Sequence, residues 1–196
     1  MGFLADNCTL HVLDQETIEK CNPFSCGNED LDDFFNNDAH NYRSQLLGKS
    51  YCYRLDEDNN TIVCAFTVSN SSIKVGDLSG SRRKRVQRKI PHDKHRNDYP
   101  AVLIGRLGVN VDFKGRGIGR ELMEFIKSWF IDPQNKTGCR FVIVDAYNRK
   151  EVIKYYQDNG FEFVFTKESD EREHYHAKKK NELESRLMYF DLIRLL

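Results

Sequence analysis

The residues best suited to chemistry lie in Leu103–Arg120, LIGRLGVNVDFKGRGIGR, where an apolar run ends in a turn of glycine and cation and a helical pattern begins at once. Gly115, Gly117 and Gly119 alternate with Lys114, Arg116, Ile118 and Arg120. Glycine lets backbone N–H groups approach an anion with no Cβ in the way. The start of a helix turns its positive end to the same place. The turn therefore reads as a seat for a phosphate or pyrophosphate, and it points to a nucleotide-bearing cofactor. Spacing excludes two such cofactors. A dinucleotide seat wants G-x-G-x-x-G with an acid about 20 residues on, whereas these glycines run G-x-G-x-G in a different order of elements. The triphosphate pattern G-x-x-x-x-G-K-S/T is absent.

Other reactive side chains carry less. The six cysteines, at 8, 21, 26, 52, 64 and 139, form no Cys-x-x-Cys, and no histidine pair has zinc spacing beside them, so no metal is expected. They read as small buried residues or surface thiols. With Asp56–Asn60 as a hairpin tip, Cys52 and Cys64 would lie opposite each other and pair under oxidation, which a reducing cytosol disfavours. The histidines, at 11, 40, 92, 95, 174 and 176, fall in no motif, and no general base stands out.

A chain of 196 residues fits a single domain, 1–196. The formal net charge of zero names no partner. No apolar stretch approaches the ~20 residues of a membrane helix. The start, MGFLADNCTLHVLDQ, lacks the pattern of a secretion signal, so a cytoplasmic protein is expected. Strands are expected at 8–14, 50–55, 61–68, 101–111, 140–146, 161–166 and 186–194. Helices are expected from Asn28 to about Leu47, at 117–130 and from about Arg149 to Asp158. The result is an α+β domain on a mixed sheet. Two stretches read as loops: the basic insertion 76–98, with eight Lys or Arg between 82 and 96, and the charged segment 167–185. The first is either solvated surface or a contact for an anionic partner such as RNA, through Arg82, Arg83, Lys84 and Arg85.

Lys114-Gly115-Arg116-Gly117-Ile118-Gly119 resembles the pyrophosphate motif of the GNAT superfamily N-acetyltransferases, Q/R-x-x-G-x-G/A, with Lys in the first place. VDAYNRKEVIKYYQDNGF, 144–161, is similar to the family's strand, Asn, helix and Tyr-x-x-x-Gly-Phe ending. The resemblance implies a GNAT fold: a mixed sheet of six to seven strands with a V-shaped splay, flanked by about four helices. It implies acetyl-CoA as donor, with backbone groups near Leu107 and Val109 on the pantetheine arm. The N–H groups of Gly115, Arg116, Gly117, Ile118 and Gly119 would hold the pyrophosphate, with charge added by Lys114 and Arg116. Tyr156 matches the signature tyrosine. A phenol, with its reference pKa of about 10, keeps its proton at neutral pH and can donate it to the leaving sulfur. Asn148 matches an asparagine that bonds the pantetheine or a site water, and with Glu151 it also makes a capping-box start for the helix.

FSCGNEDLDDFFNNDA, 24–39, and YPAVLIGRLGVN, 99–110, are similar to the GNAT toxins of bacterial toxin–antitoxin pairs, although Gly108 stands where those have Ala. That similarity implies the α-amine of aminoacyl-tRNA as acceptor and a ribbon-helix-helix antitoxin as partner; related enzymes are often homodimers. Lack of a base favours an α-amine, with a pKa of about 8, over a lysine at about 10.4. A small-molecule, peptide or protein amine, and a non-catalytic CoA-binding or protein-binding module, are the alternatives.

Overall fold

The computed structural model describes residues 2–176 and 182–196. The chain runs α1 (Phe3–Asn7), β1 (Cys8–Val12), α2 (Gln15–Lys20), α3 (Glu29–Asp33), α4 (Ala39–Ser44), β2 (Lys49–Leu55) and β3 (Ile62–Lys74). It continues through α5 (Gly80–Gln87), β4 (Asp98–Val109), α6 (Ile118–Ile131), β5 (Phe141–Tyr147) and α7 (Lys150–Asp158). It closes with β6 (Glu162–Phe163), α8 (Glu168–His174) and β7 (Ser185–Asp191). The fold is α+β on a seven-stranded mixed sheet in the order β1-β2-β3-β4-β5-β7-β6. Two compact units divide the chain, residues 1–69 with 104–129, and residues 70–103 with 130–196.

The core of the first unit gathers Leu13, Phe24, Cys26, Phe34, Phe35, Ala39, Cys52, Ile62 and Ala65. Asn28 starts α3 by accepting a hydrogen bond from Leu31 N at 3.2 Å, as its type and place predict. A π-helical turn at Phe34–Asp38 joins α3 to α4. In α6 the apolar spacing buries Ile118, Leu122, Met123 and Ile126. Phe125 meets Tyr53 edge-on at 5.4 Å, and Trp129 meets Tyr51 at 4.9 Å.

The expected opposition of Cys52 and Cys64 is not found. Cys52 pairs with Ala65 and Tyr53 with Cys64, because the register shifts between Tyr53 and Arg54. A shift of one residue moves a side chain to the other sheet face, so the two thiols point apart.

In the second unit the core gathers Ile73, Val75, Leu78, Val86, Tyr99, Ala101, Phe141, Ile143, Val164, Phe165 and Tyr189. β5 and β7 pair along their whole length, from Phe141↔Asp191 to Tyr147↔Ser185. The strand expected at 161–166 is only two residues long. Beyond it the carbonyls turn to guanidinium groups instead of a ladder: Arg85 donates to Phe163 O at 3.2 Å and Arg186 to Phe165 O at 2.8 Å.

Both expected loops contain helix. α5 lies inside 76–98, and α8 lies inside 167–185, of which 177–181 fall outside the described residues. Charge alone made these stretches look solvated, yet α8 is held by a buried ion pair. Glu171 is 1% exposed, and its carboxylate accepts from Arg186 Nε at 2.6 Å and from Leu187 N at 2.6 Å. Removing one member of a buried pair strands the other charge, at a cost of about 3–5 kcal/mol. Glu171→Leu should therefore lower the unfolding free energy by about that amount in a urea titration. A loss under about 1 kcal/mol would mean that water reaches the pair.

Candidate active site

The glycine turn is built on Asn110, where β4 ends. The Asn110 backbone N–H donates to Val63 O and its Nδ2 donates to Ile62 O, each at 2.9 Å, while Oδ1 accepts from Asp112 N at 3.1 Å. A 3-10 turn at Val111–Phe113 follows. Gly115 and Gly117 then adopt φ of 75° and 80°, a region costly for any residue with a Cβ. A Cβ at either would meet nothing within 4 Å, so the ground before the turn is open. Ile118, buried, starts α6, and the N–H groups of Arg120 and Glu121 close on Gly117 O at 3.0 and 3.2 Å. The helix thus brings its positive end to the glycines.

Residues 24–27 support this turn from below. Val111 N donates to Ser25 O at 2.9 Å, and Lys114 Nζ donates to Cys26 O at 2.6 Å. Asp32 in turn accepts from Cys26 N at 2.6 Å and from Ser25 Oγ at 2.8 Å. Burial pushes the Asp32 carboxyl up, but the hydrogen bonds from Cys26 and Ser25 outweigh it and hold the group below its ordinary range. Asn36, one helical turn on, accepts from Phe24 N and donates to Phe24 O, each at 2.8 Å. Gly108 packs on the same segment; a Cβ there would lie 3.1 Å from both Cβ and Sγ of Cys26.

The expected contributors divide. Leu107 and Val109 are half-buried in β4. The Lys114 ammonium is committed to the Cys26 carbonyl. Arg116 is exposed, its guanidinium 5.2 Å from the Phe113 ring centre. Asn110, Asp32 and Asn36 were not singled out from sequence. The only hint was their place within the stretches 24–39 and 99–110.

In the second unit Tyr156 lies buried on α7, its ring 5.1 Å from Tyr155 and 5.4 Å from Phe161. Burial pushes its hydroxyl well above the ordinary phenol range, so it is neutral at physiological pH. Asn148 does not cap α7; the cap is Arg149, with no side-chain bond. The Asn148 amide instead donates to Glu168 Oε2 at 3.2 Å and to Leu183 O at 3.0 Å. Glu168 also accepts from Leu183 N at 2.9 Å. Asn148 thus ties the end of β5 to the segment around α8, which outcompetes the capping-box geometry with Glu151.

The three arginines of the basic run turn inward. Arg82 pairs with Asp170, Arg83 donates to Val75 O and Gly76 O at 3.0 and 2.7 Å, and Arg85 bonds Phe163 O and Thr166. Lys84, Arg88, Lys89, Lys94 and Arg96 are the exposed cations of the stretch.

Residues 84–163, from the basic helix to β6, match the family described as Acetyltransferase (GNAT) domain. Over these residues the chain is similar to a GNAT acetyltransferase domain. A tRNA-acetylating toxin of Mycobacterium tuberculosis is 27% identical to this chain over 139 residues, which span 71% of the chain and 76% of the toxin. Among solved structures, a mutant of KacT superposes with a TM-score of 0.71 at 17% identity, covering 97% of this chain and 100% of KacT. AtaT complexed with acetyl-methionyl-tRNAfMet gives 0.65 at 18% identity, covering 96% and 97%. AtaTR bound with AcCoA gives 0.63 at 17% identity, covering 97% and 96%.

Burial raises the thiols of Cys8, Cys26 and Cys139 to about 11 and that of Cys52 to about 12, so they stay protonated. No helix among the described residues is long and apolar enough to cross a membrane.

The turn depends on Asn110. Asn110→Ala leaves the buried Ile62 carbonyl unpaired and the turn uncapped, which should cost about 1–3 kcal/mol of stability. An unchanged urea midpoint would show that the turn is held by other contacts.

Proposed function

We propose that this acetyltransferase moves the acetyl group of acetyl-CoA to the α-amine of an aminoacyl-tRNA, by direct attack in a ternary complex. The open glycine turn at the head of α6 carries the donor half of this reading. Its size and charge suit a pyrophosphate: no side chain fills the space before Gly115 and Gly117, and backbone N–H groups at a helix start favour a dianion. The N–H group of Gly119 belongs to the same anion-holding set. Leu107 and Val109 offer strand backbone to the pantetheine amides, as an added strand would bond them. With Lys114 held by Cys26 O, Arg116 is the side chain that adds charge. Asn148 positions the α8 segment through its Nδ2, and its Oδ1 is the atom that would accept from the pantetheine arm.

In the transfer, the amine nitrogen bonds the acetyl carbon and the carbon–sulfur bond breaks. A strand N–H steadies the oxyanion. Tyr156, kept neutral by burial, gives its proton to the departing sulfur. The acceptor half draws support from the tRNA-acetylating relative and from the exposed Lys84, Arg88, Lys89, Lys94 and Arg96. A ribbon-helix-helix antitoxin as partner and a homodimeric state belong to the same reading. The inward turn of Arg82, Arg83 and Arg85 favours a second reading, a peptide or small-molecule amine as acceptor. Labelled acetyl-CoA offered to charged tRNA, polyamines and peptides separates the two; label confined to the last two pools rejects the tRNA reading.

Tyr156→Phe should lower kcat by about 10²-fold or more while calorimetry finds acetyl-CoA affinity nearly intact. Equal turnover would remove the proton-donor role. Replacing Lys84, Arg88 and Lys89 with Ala should weaken tRNA binding and flatten its dependence on salt, because each of these cations neutralises a phosphate in the wild type. Replacing Arg82, Arg83 and Arg85 should instead lower the melting temperature. A salt slope that does not change in the lysine–arginine triple variant would place the RNA contact elsewhere.

A further inference from the structure

The first turn of α6 reaches beyond the glycines, within the first compact unit. Glu121, whose backbone N–H closes on Gly117 O, extends its carboxylate to α1. There it accepts from Phe3 N at 3.0 Å and from Leu4 N at 2.9 Å. A Cβ at Gly2 would lie 2.6 Å from the same carboxyl group, so the backbone passes close by. Leu4 is buried. A helix of five residues is not stable alone in water, so α1 takes its place from these contacts. They set the Phe3 ring 5.8 Å from the Phe113 ring, the two planes at 55°. Phe113 closes the 3-10 turn two residues before Gly115, and two residues span at most about 7 Å. The Arg116 guanidinium, rooted between the two glycines, lies 5.2 Å from the Phe113 ring centre. Both rings are only half-buried, unlike Leu4 and Ile118 beside them in sequence. A pair of half-open aromatic rings thus borders the glycine turn and is joined to it by a cation.

Resting on the reading of the glycine turn as a pyrophosphate seat, we propose that Phe3 and Phe113 form a platform for the adenine ring of the donor. One ribose separates the phosphates of a nucleoside diphosphate from its base, so the base of a seated nucleotide comes to rest beside the turn. Adenine offers flat faces, and an aromatic side chain binds such a face without any hydrogen bond to the base edge. Arg116 serves both parts of the ligand. Its charge draws the phosphates, and its guanidinium adjoins the ring on which the base stacks. Phe3 belongs to the platform because Glu121 holds α1 in place. The residue that closes the first turn of α6 on Gly117 therefore also carries the base platform to the seat.

Calorimetry with ADP and with inorganic pyrophosphate separates the base from the seat. Wild type should bind ADP about tenfold or more tightly than pyrophosphate, with the hypochromic change in the adenine absorption band that stacking produces. Phe3→Leu and Phe113→Leu keep an apolar side chain but remove a ring. Each should weaken ADP about fivefold or more and leave pyrophosphate within about twofold of wild type. Phe3→Trp, which restores an aromatic face, should bind ADP about as wild type does. Equal affinity of wild type for the two probes, equal loss on both in the leucine variants, no loss in either of them, or a tryptophan variant as weak as Phe3→Leu would each overturn the platform. A wild type that binds ADP but not pyrophosphate counts against the seat and leaves the ring variants to decide the platform. A wild type that binds neither overturns both.

Discussion

The Asp32 carboxylate holds the Ser25–Cys26 backbone, and the glycine turn leans on that backbone through Val111 and Lys114. Glycines that adopt positive φ give a turn its shape but nothing to keep it there. The stiffness has to come from the neighbours. Here it comes from a relay of hydrogen bonds, from Asn36 and Asp32 on the α3 side to residues 24–26, and from these to the loop. Asn110 fixes the other end against β3. The glycine turn is thus preorganised by polar contacts between segments distant in sequence, and each can be removed singly.

The second unit solves a different problem by related means. Its chain leaves the sheet after Phe163, and the orphaned carbonyls there must find donors. Arg85 and Arg186 provide them. The guanidinium fork suits this task because it serves a carbonyl and a second acceptor at once. Arg186 joins Phe165 O to Glu171, and Arg85 joins Phe163 O to Thr166. Residues that looked like a solvated charge run therefore act as connectors, and the net positive surface is smaller than the sequence count implies.

Legibility followed the source of order. α6 and α7 were read within a residue or two because an apolar face at helical spacing reflects burial directly. β4 and β5 were readable as continuous apolar runs. The glycine turn was readable because glycine at alternate positions has few other uses. What failed depended on contacts between distant residues. Nothing local marks the register shift at Tyr53/Arg54 that separates Cys52 from Cys64. Asn148 next to Glu151 satisfies a local capping rule, and only Glu168 and Leu183 reveal that its amide is taken. α8 is charged throughout, so its burial cannot be seen without Arg186 opposite Glu171.

The tight approach of Gly108 to Cys26 and Phe24 ties two stretches together in space. A methyl group at 108 has to displace sulfur or ring by a few tenths of an ångström, and the displaced atoms belong to the segment on which the glycine turn rests. A chain with alanine at this place therefore needs a different fit at the position of Cys26. An exchange at either of the two sites alone would carry only half of a compatible solution.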